Sequence, residues 1–287
     1  MIKRILSTVA LLIKRILSTV ALWSIIAVTL WFFRTSGALV LIAIIAALTL
    51  REFFDLMRGA GYAPFTIFGS SFGVLITLSP WIETVTGRPA HILLALSTVV
   101  FAVRLLGERT PENRVESLAT TIFGIVYVGV LLQYMVRIVV PLPGDTVTAD
   151  GRLLLALWLI AVAKFCDVGA LLTGLAIGRH KMSPHISPKK TWEGAAGGII
   201  TSMGVGALIA WLSRDHFPGH MTPLIAALIA APVAAIGIVA DLVESVIKRR
   251  ANMKDSGRSI PGIGGMFDLS DSLLLAAPVG YFFFGLP

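Results

Sequence analysis

Apolar runs long enough to cross a bilayer recur from one end of this chain to the other, with only short polar stretches between them. A helix of about 20 apolar residues spans the roughly 30 Å hydrocarbon core. Inside that core every backbone N–H and C=O must be paired, and a helix achieves this within each segment. The runs fall at 16–33, 37–56, 63–82, 90–106, 116–140, 153–178, 195–212, 222–247 and 267–284. They predict an all-α, polytopic membrane protein of about nine transmembrane helices. Gly69, Ser70 and Ser71 dilute the third run, and the fourth is short. Only 14% of the residues are charged, against about 25% in a soluble domain.

Three regions follow. Residues 1–15 form a duplicated N-terminal segment, because IKRILSTVAL at 2–11 returns at 13–22. Residues 16–150 hold the first transmembrane helices, and 151–287 hold the region richest in chemistry. The repeat is too short for a repeat architecture. Lys3, Arg4, Lys14 and Arg15 before an apolar run imitate a signal peptide, but no polar domain follows, so a first transmembrane helix is expected.

The Lys/Arg bias sets the orientation. With the N-terminus in the cytoplasm, 18 cations fall on that side and 5 on the other, Lys164 lying within the sixth run. The formal net charge of +8 therefore points to membrane orientation and to anionic lipid or nucleotide phosphates, with no nucleic-acid partner. The single cysteine, Cys166, lies in an apolar run and reads as helix packing.

The richest stretch is 241–271, DLVESVIKRRANMKDSGRSIPGIGGMFDLSD. Asp241, Glu244, Ser245 and Lys248 recur at i, i+3, i+4 and i+7, on one face of a helix. Carboxylates inside the ends of apolar helices are costly and mark functional sites. A Gly/Pro turn then brings in Asp268 and Asp271, three apart on the next helix. Two acidic faces across a basic loop suit a divalent cation and a phosphorylated substrate. Asp268 and Asp271 also suit a helix N-terminus, where carboxylates accept free N–H groups.

The loop after the sixth run, GRHKMSPHISPKKTWEGAAGG, combines cations, hydroxyls and a tryptophan. Those donors fit a triphosphate, and they equally fit a basic interfacial loop with a Trp anchor. Lys164 and Asp167, at i, i+3, form either a buried structural pair or the wall of a polar cavity shared with Asp241. Gly169 and Gly174 offer a small-residue face for helix packing. The histidines lack metal-ligand spacing, and no phosphate-binding glycine loop of the P-loop kind occurs.

SPKKTWEG at 187–194, and the pattern S-x-x-K-R-x4-K-D-x-G-x2-I-P-x-x-G-G-x-x-D-x-x-D at 245–271, resemble the phosphatidate cytidylyltransferases, or CDP-diacylglycerol synthases. The match is detailed over about 164–271. The resemblance implies a multi-pass inner (cytoplasmic) membrane enzyme of phospholipid biosynthesis. It would join CTP and phosphatidate to give CDP-diacylglycerol and pyrophosphate, using Mg2+, with a second metal or monovalent cation admitted. Two positions depart from the family's pattern: Ile263 stands for its usual histidine and Leu269 for its usual arginine.

Residues and resemblance together imply a set of roles. Asp241, Asp268, Asp271 and Glu244 are the candidate metal ligands. Lys248, Arg249, Lys254 and Asp255 are the candidate catalytic residues. Ser187, Lys189, Lys190, Thr191, Glu193, Ser245 and Asp167 are the candidate substrate-binding residues. CTP, phosphatidate and membrane lipids are the implied partners, and small residues on helix faces leave room for a homodimer. Two other readings stay open. One is a different metal-dependent lipid-phosphate transferase or kinase. The other is a cation-coupled transporter lined by Lys164, Asp167 and Asp241, for which no inverted internal repeat is found.

Overall fold

A computed structural model describes residues 2–89, 91–107, 114–142, 145–257, 259–260 and 264–286, and for 2–19 and 22 the backbone alone. Ile263 lies outside the described residues. Six described helices are long and apolar enough to cross a membrane, or seven if a bent pair is one span. Among the described residues the one sheet is a two-stranded hairpin. The chain is thus an all-α polytopic membrane protein.

The first helix, α1 (Ile2–Gly59), breaks at Arg34, where φ is 46° and ψ −127°. The break is a reversal. A Cβ on Gly37 would lie 2.7 Å from the Thr29 carbonyl oxygen, whereas eight residues of unbroken helix would separate them by roughly 12 Å. The runs expected at 16–33 and 37–56 are therefore the two arms of a helical hairpin. Arg34 at its tip lies 3.2 Å from Asp150.

The run expected at 63–82 is split into α2 (Thr66–Thr77) and α3 (Ser79–Thr86), with Pro80 in the first turn of α3. Proline suits the first turn of a helix, where its missing N–H would be unpaired anyway. At 12 residues α2 rises about 18 Å, short of the hydrocarbon thickness. The next helix, α4 (His91–Leu106), meets α3 at 116°. Then α5 (Arg114–Gly124) continues through a π-helical turn, Ile125–Val130, into α6 (Leu131–Val139). Gly129 in that turn lets α2 approach so closely that a Cβ there would lie 2.8 Å from the Gly73 carbonyl oxygen.

The second half is more regular. Thr148 caps α7 (Ala149–Ile177) by accepting the Gly151 N–H at 3.1 Å. An antiparallel hairpin of β1 (Lys181–Ser183) and β2 (Ser187–Thr191) leads into α8 (Trp192–Leu212). Next come α9 (Pro223–Arg250), capped by Thr222, and α10 (Met266–Phe284). Consecutive helices α7 to α10 make the most extensive contacts in the molecule. The α7–α8 seam is built from small residues: Gly169 meets Thr201, Gly197 meets Thr173 and Gly198 meets the Cys166 backbone. Cys166 is buried there as a free thiol.

Helix α10 runs through the middle, touching α1, α6, α7 and α9. Leu274, Ala276 and Ala277 are wholly buried, as is Phe267 near its start. The start of α10 meets the last turns of α1 and α9 and, at Lys164, the middle of α7. All the candidate site residues collect at that one end.

Candidate active site

The face predicted on α9 forms. Asp241 and Glu244 approach Asp271 of α10 so that one oxygen from each lies within 4.8 Å of the others. Glu244 and Asp271 are buried. Three carboxylates this close repel one another unless a cation intervenes. The Glu244 Oε1 atom is buried without a hydrogen-bond partner, an expensive state for a carboxylate oxygen. This donor set, all oxygen and one atom unspent, fits a hard divalent cation.

Three ammonium groups surround the trio. Lys164 Nζ lies 4.0 Å from Asp271 Oδ1 and 3.9 Å from Asp167 Oδ2, and donates to the Ser272 hydroxyl at 3.1 Å. Lys190 Nζ lies 2.5 Å from Asp241 Oδ2. Lys248 Nζ bridges Glu244 Oε2 at 2.9 Å and Asp268 Oδ1 at 2.8 Å. The i, i+3 pairing of Lys164 with Asp167 thus exists, and Lys164 also reaches across to α10.

Asp268 is placed differently from Asp271. Its Oδ2 accepts the Gly265 N–H at 2.9 Å and the Ser256 N–H at 3.0 Å, while Oδ1 faces Lys248. It closes the first turn of α10 and ties the basic loop to it, and it is not one of the three converging carboxylates. Spacing put both aspartates near one face, but only the residue one turn deeper reaches the trio. Leu269, between them, is half-buried.

Asp241 also lines a cavity of about 550 Å3 between α7, α8, α9 and the hairpin. Its polar wall includes Asp167, Lys181, Lys189, Lys190 and Thr191. Its apolar wall includes Leu171, Leu175 and Ile238. Leu171 and Leu175 are more than half exposed, as lipid-facing side chains are. The cavity therefore joins a cationic rim to an apolar flank.

The other predicted residues divide. Thr191 caps α8, accepting the Gly194 N–H at 3.1 Å, and is buried. Glu193 accepts from the His180 backbone N–H at 3.2 Å and pairs with the His180 ring at 2.5 Å, pinning the hairpin to α8. Ser187 opens β2 opposite Ser183, away from the cavity lining. Ser245 is half-buried on α9, while Arg249, Lys254 and Asp255 are exposed beside the site.

One residue near the site escaped the sequence reading. Glu52 of α1 is buried and holds the start of α10 and the basic loop. The signal was present, since Glu52 too is a carboxylate inside the end of an apolar run, the argument that selected Asp241.

Comparison with known proteins accords with this site. A model of the cytidylyltransferase family matches residues 13–286. The chain is 30% identical over 272 residues to the phosphatidate cytidylyltransferase of Synechocystis sp., covering 88% of each chain. It is 36% identical over 133 residues to the phosphatidate cytidylyltransferase of Haemophilus influenzae, covering 46% of each. It is 40% identical over 141 residues to an uncharacterised protein, YnbB, of Escherichia coli, covering 48% of this chain and 45% of that one. The family likeness read from SPKKTWEG and the 245–271 pattern is borne out: the chain belongs to the cytidylyltransferase family.

Proposed function

We propose that this protein joins CTP and phosphatidate to give CDP-diacylglycerol and pyrophosphate. The observation that carries the reading is the double position of Asp241. It belongs to a trio of carboxylates fit for a divalent cation and also walls a cavity with a cationic rim and a lipid-facing flank. A nucleoside triphosphate and a lipid head group need those two environments side by side. The Synechocystis and Haemophilus relatives, named as phosphatidate cytidylyltransferases, support the same choice.

In this reading a phosphatidate oxygen attacks the α-phosphorus of CTP, and the bond from that phosphorus to the bridging oxygen breaks as pyrophosphate leaves. The attacking phosphate is already largely ionised near pH 7, its second pKa being about 6, so no strong base is required. Asp241, Glu244 and Asp271 would hold Mg2+, which would offset the triphosphate's negative charge when bound. Lys189 and Lys190 stand on the cavity wall to receive phosphate oxygens. Lys248 orients Glu244 and Asp268. Arg249, Lys254 and Asp255, exposed beside the site, are assigned to the incoming nucleotide. The end bearing these cations would face the cytoplasm across the inner membrane, with the N-terminus on that side.

The test is pyrophosphate and lipid-product analysis with purified full-length protein in detergent. CTP with phosphatidate should release pyrophosphate and form CDP-diacylglycerol in Mg2+, and not in a chelator. ATP or UTP should not replace CTP. Asp241→Asn should cut turnover by roughly a thousandfold, on the order of the several kcal/mol that a metal-held charge supplies. Phosphate transfer from ATP to lipid would favour the kinase reading. Near-normal activity of folded Asp241→Asn would remove Asp241 from the mechanism. Wild-type turnover would also show that Ile263 and Leu269 are compatible with the reaction.

A further inference from the structure

Glu52 comes from the N-terminal half of the chain, more than 200 residues from the groups it holds, and is 5% exposed. Its Oε2 accepts the Phe267 N–H at 2.9 Å and the Ser256 hydroxyl at 3.2 Å. Its Oε1 accepts from the Ser259 hydroxyl. A carboxylate buried in so apolar a bundle is tolerated only when hydrogen-bonded, and these three donors come from two separate pieces of the site. Ser256 and Ser259 belong to the loop that carries Lys254 and Asp255, and Phe267 lies in the first turn of α10.

The connection continues inward. The Ser256 oxygen accepts the Asp268 N–H at 3.2 Å, and the Ser256 N–H donates to Asp268 Oδ2 at 3.0 Å. Asp268 holds Lys248, and Lys248 holds Glu244 of the carboxylate trio. The loop is also moulded around the carboxylate: a Cβ on Gly257 or Gly265 would collide with the Glu52 side chain. A second polar contact joins the same two helices, Thr49 to Ser270 at 2.9 Å, buried between hydroxyls.

We propose that Glu52 is a positioning residue of the transfer site. Acting from α1, it latches Ser256 and Ser259 of the basic loop to the N-terminus of α10, and so fixes Lys254, Asp268 and Lys248 relative to the carboxylate trio without itself touching substrate. The catalytic role of this end of the bundle rests on the cytidylyltransferase reading; the latch geometry does not. A function follows for the N-terminal half as well: the last turns of α1 are part of the site's frame.

The experiment compares wild type, Glu52→Gln, Glu52→Ala and Ser259→Ala, each purified full-length, by amide hydrogen exchange of the resting protein and by steady-state kinetics with CTP and phosphatidate. Glu52→Ala should speed exchange at Ser256, Phe267 and Asp268 by about tenfold or more, while exchange in the middle of α8 stays unchanged. Its kcat should fall roughly 10- to 100-fold, the scale of an ångström's misplacement, with KM for CTP changed far less. Glu52→Gln keeps the shape and an acceptor for the Phe267 N–H, so it should lie closer to wild type in both readouts. Ser259→Ala should show a smaller loss of the same kind. If Glu52→Ala does not fold, Glu52→Gln and Ser259→Ala decide. Wild-type exchange at these amides in a folded variant overturns the latch. Faster exchange with unchanged kcat overturns the positioning role. If wild type itself does not turn over CTP and phosphatidate, the proposed function fails, while the exchange arm still tests the latch.

Discussion

Buried charge occurs at both ends of this bundle, and the two clusters are built on opposite plans. At the end away from the site, Arg152 is wholly buried with Nη2 2.6 Å from Asp145 Oδ2, and its Nη1 donates to the carbonyls of Arg137 and Ile138 at 2.9 and 3.3 Å. Asp145 also accepts the Leu142 N–H at 2.5 Å. One cation faces one carboxylate, so the formal charges balance, although Arg152 Nε and Asp145 Oδ1 stay buried without a hydrogen-bond partner. At the site end, among the described residues, Asp167, Asp241, Glu244, Asp268 and Asp271 pair with Lys164, Lys190 and Lys248. These five carboxylates outnumber by two the three ammonium groups paired with them, and Lys181 and Lys189 stand on the adjoining cavity wall. The first cluster locks the α6–α7 connection. The second brings three carboxylates together and adjoins a cavity, which is how a site for a charged ligand differs from a structural ion pair.

The contrast breaks if charge removal at the two ends has the same consequence. Arg152→Met should be the most destabilising change. Stripping one partner from a buried pair costs about 3–5 kcal/mol, so thermal unfolding in detergent should shift far down. Turnover per folded molecule should stay within about twofold, since the site lies at the other end. Equal stability of Arg152→Met and wild type would mean that the pair is not a lock. A smaller effect is expected at Thr191, which serves as cap and cavity wall at once. Thr191→Ala should cost about 1 kcal/mol of stability, the worth of a helix cap, and change turnover little. A large loss of turnover with unchanged stability would instead make its hydroxyl a substrate contact.

Much of this was legible in the sequence, for identifiable reasons. The spans at 153–178, 195–212, 222–247 and 267–284 were readable because a membrane helix must be long, apolar and continuous, and these carry no internal break that neighbours do not absorb. The run at 63–82 was not readable as two short helices, because composition registers hydropathy more strongly than the turn at Ser79 and Pro80. The convergence of Asp241 and Glu244 followed from helical periodicity. Their meeting with Asp271 depends on how α10 docks, and no local pattern encodes that. The same limit explains why Asp268 was grouped with Asp271: spacing gives a face, whereas depth along the helix decides which partner is reached. Glu52 is legible as a carboxylate inside an apolar run, but its role is not, because its partners lie more than 200 residues away.

The most direct test of the central claim, that the three converging carboxylates at the site end are a cation site, is a Mn2+ titration followed by electron paramagnetic resonance. It would use purified protein in detergent without nucleotide, comparing wild type with Glu244→Gln and Arg152→Met. One Mn2+ site per chain in wild type and Arg152→Met, lost or greatly weakened in a folded Glu244→Gln, is the predicted result. Equal Mn2+ binding by wild type and Glu244→Gln would contradict the account.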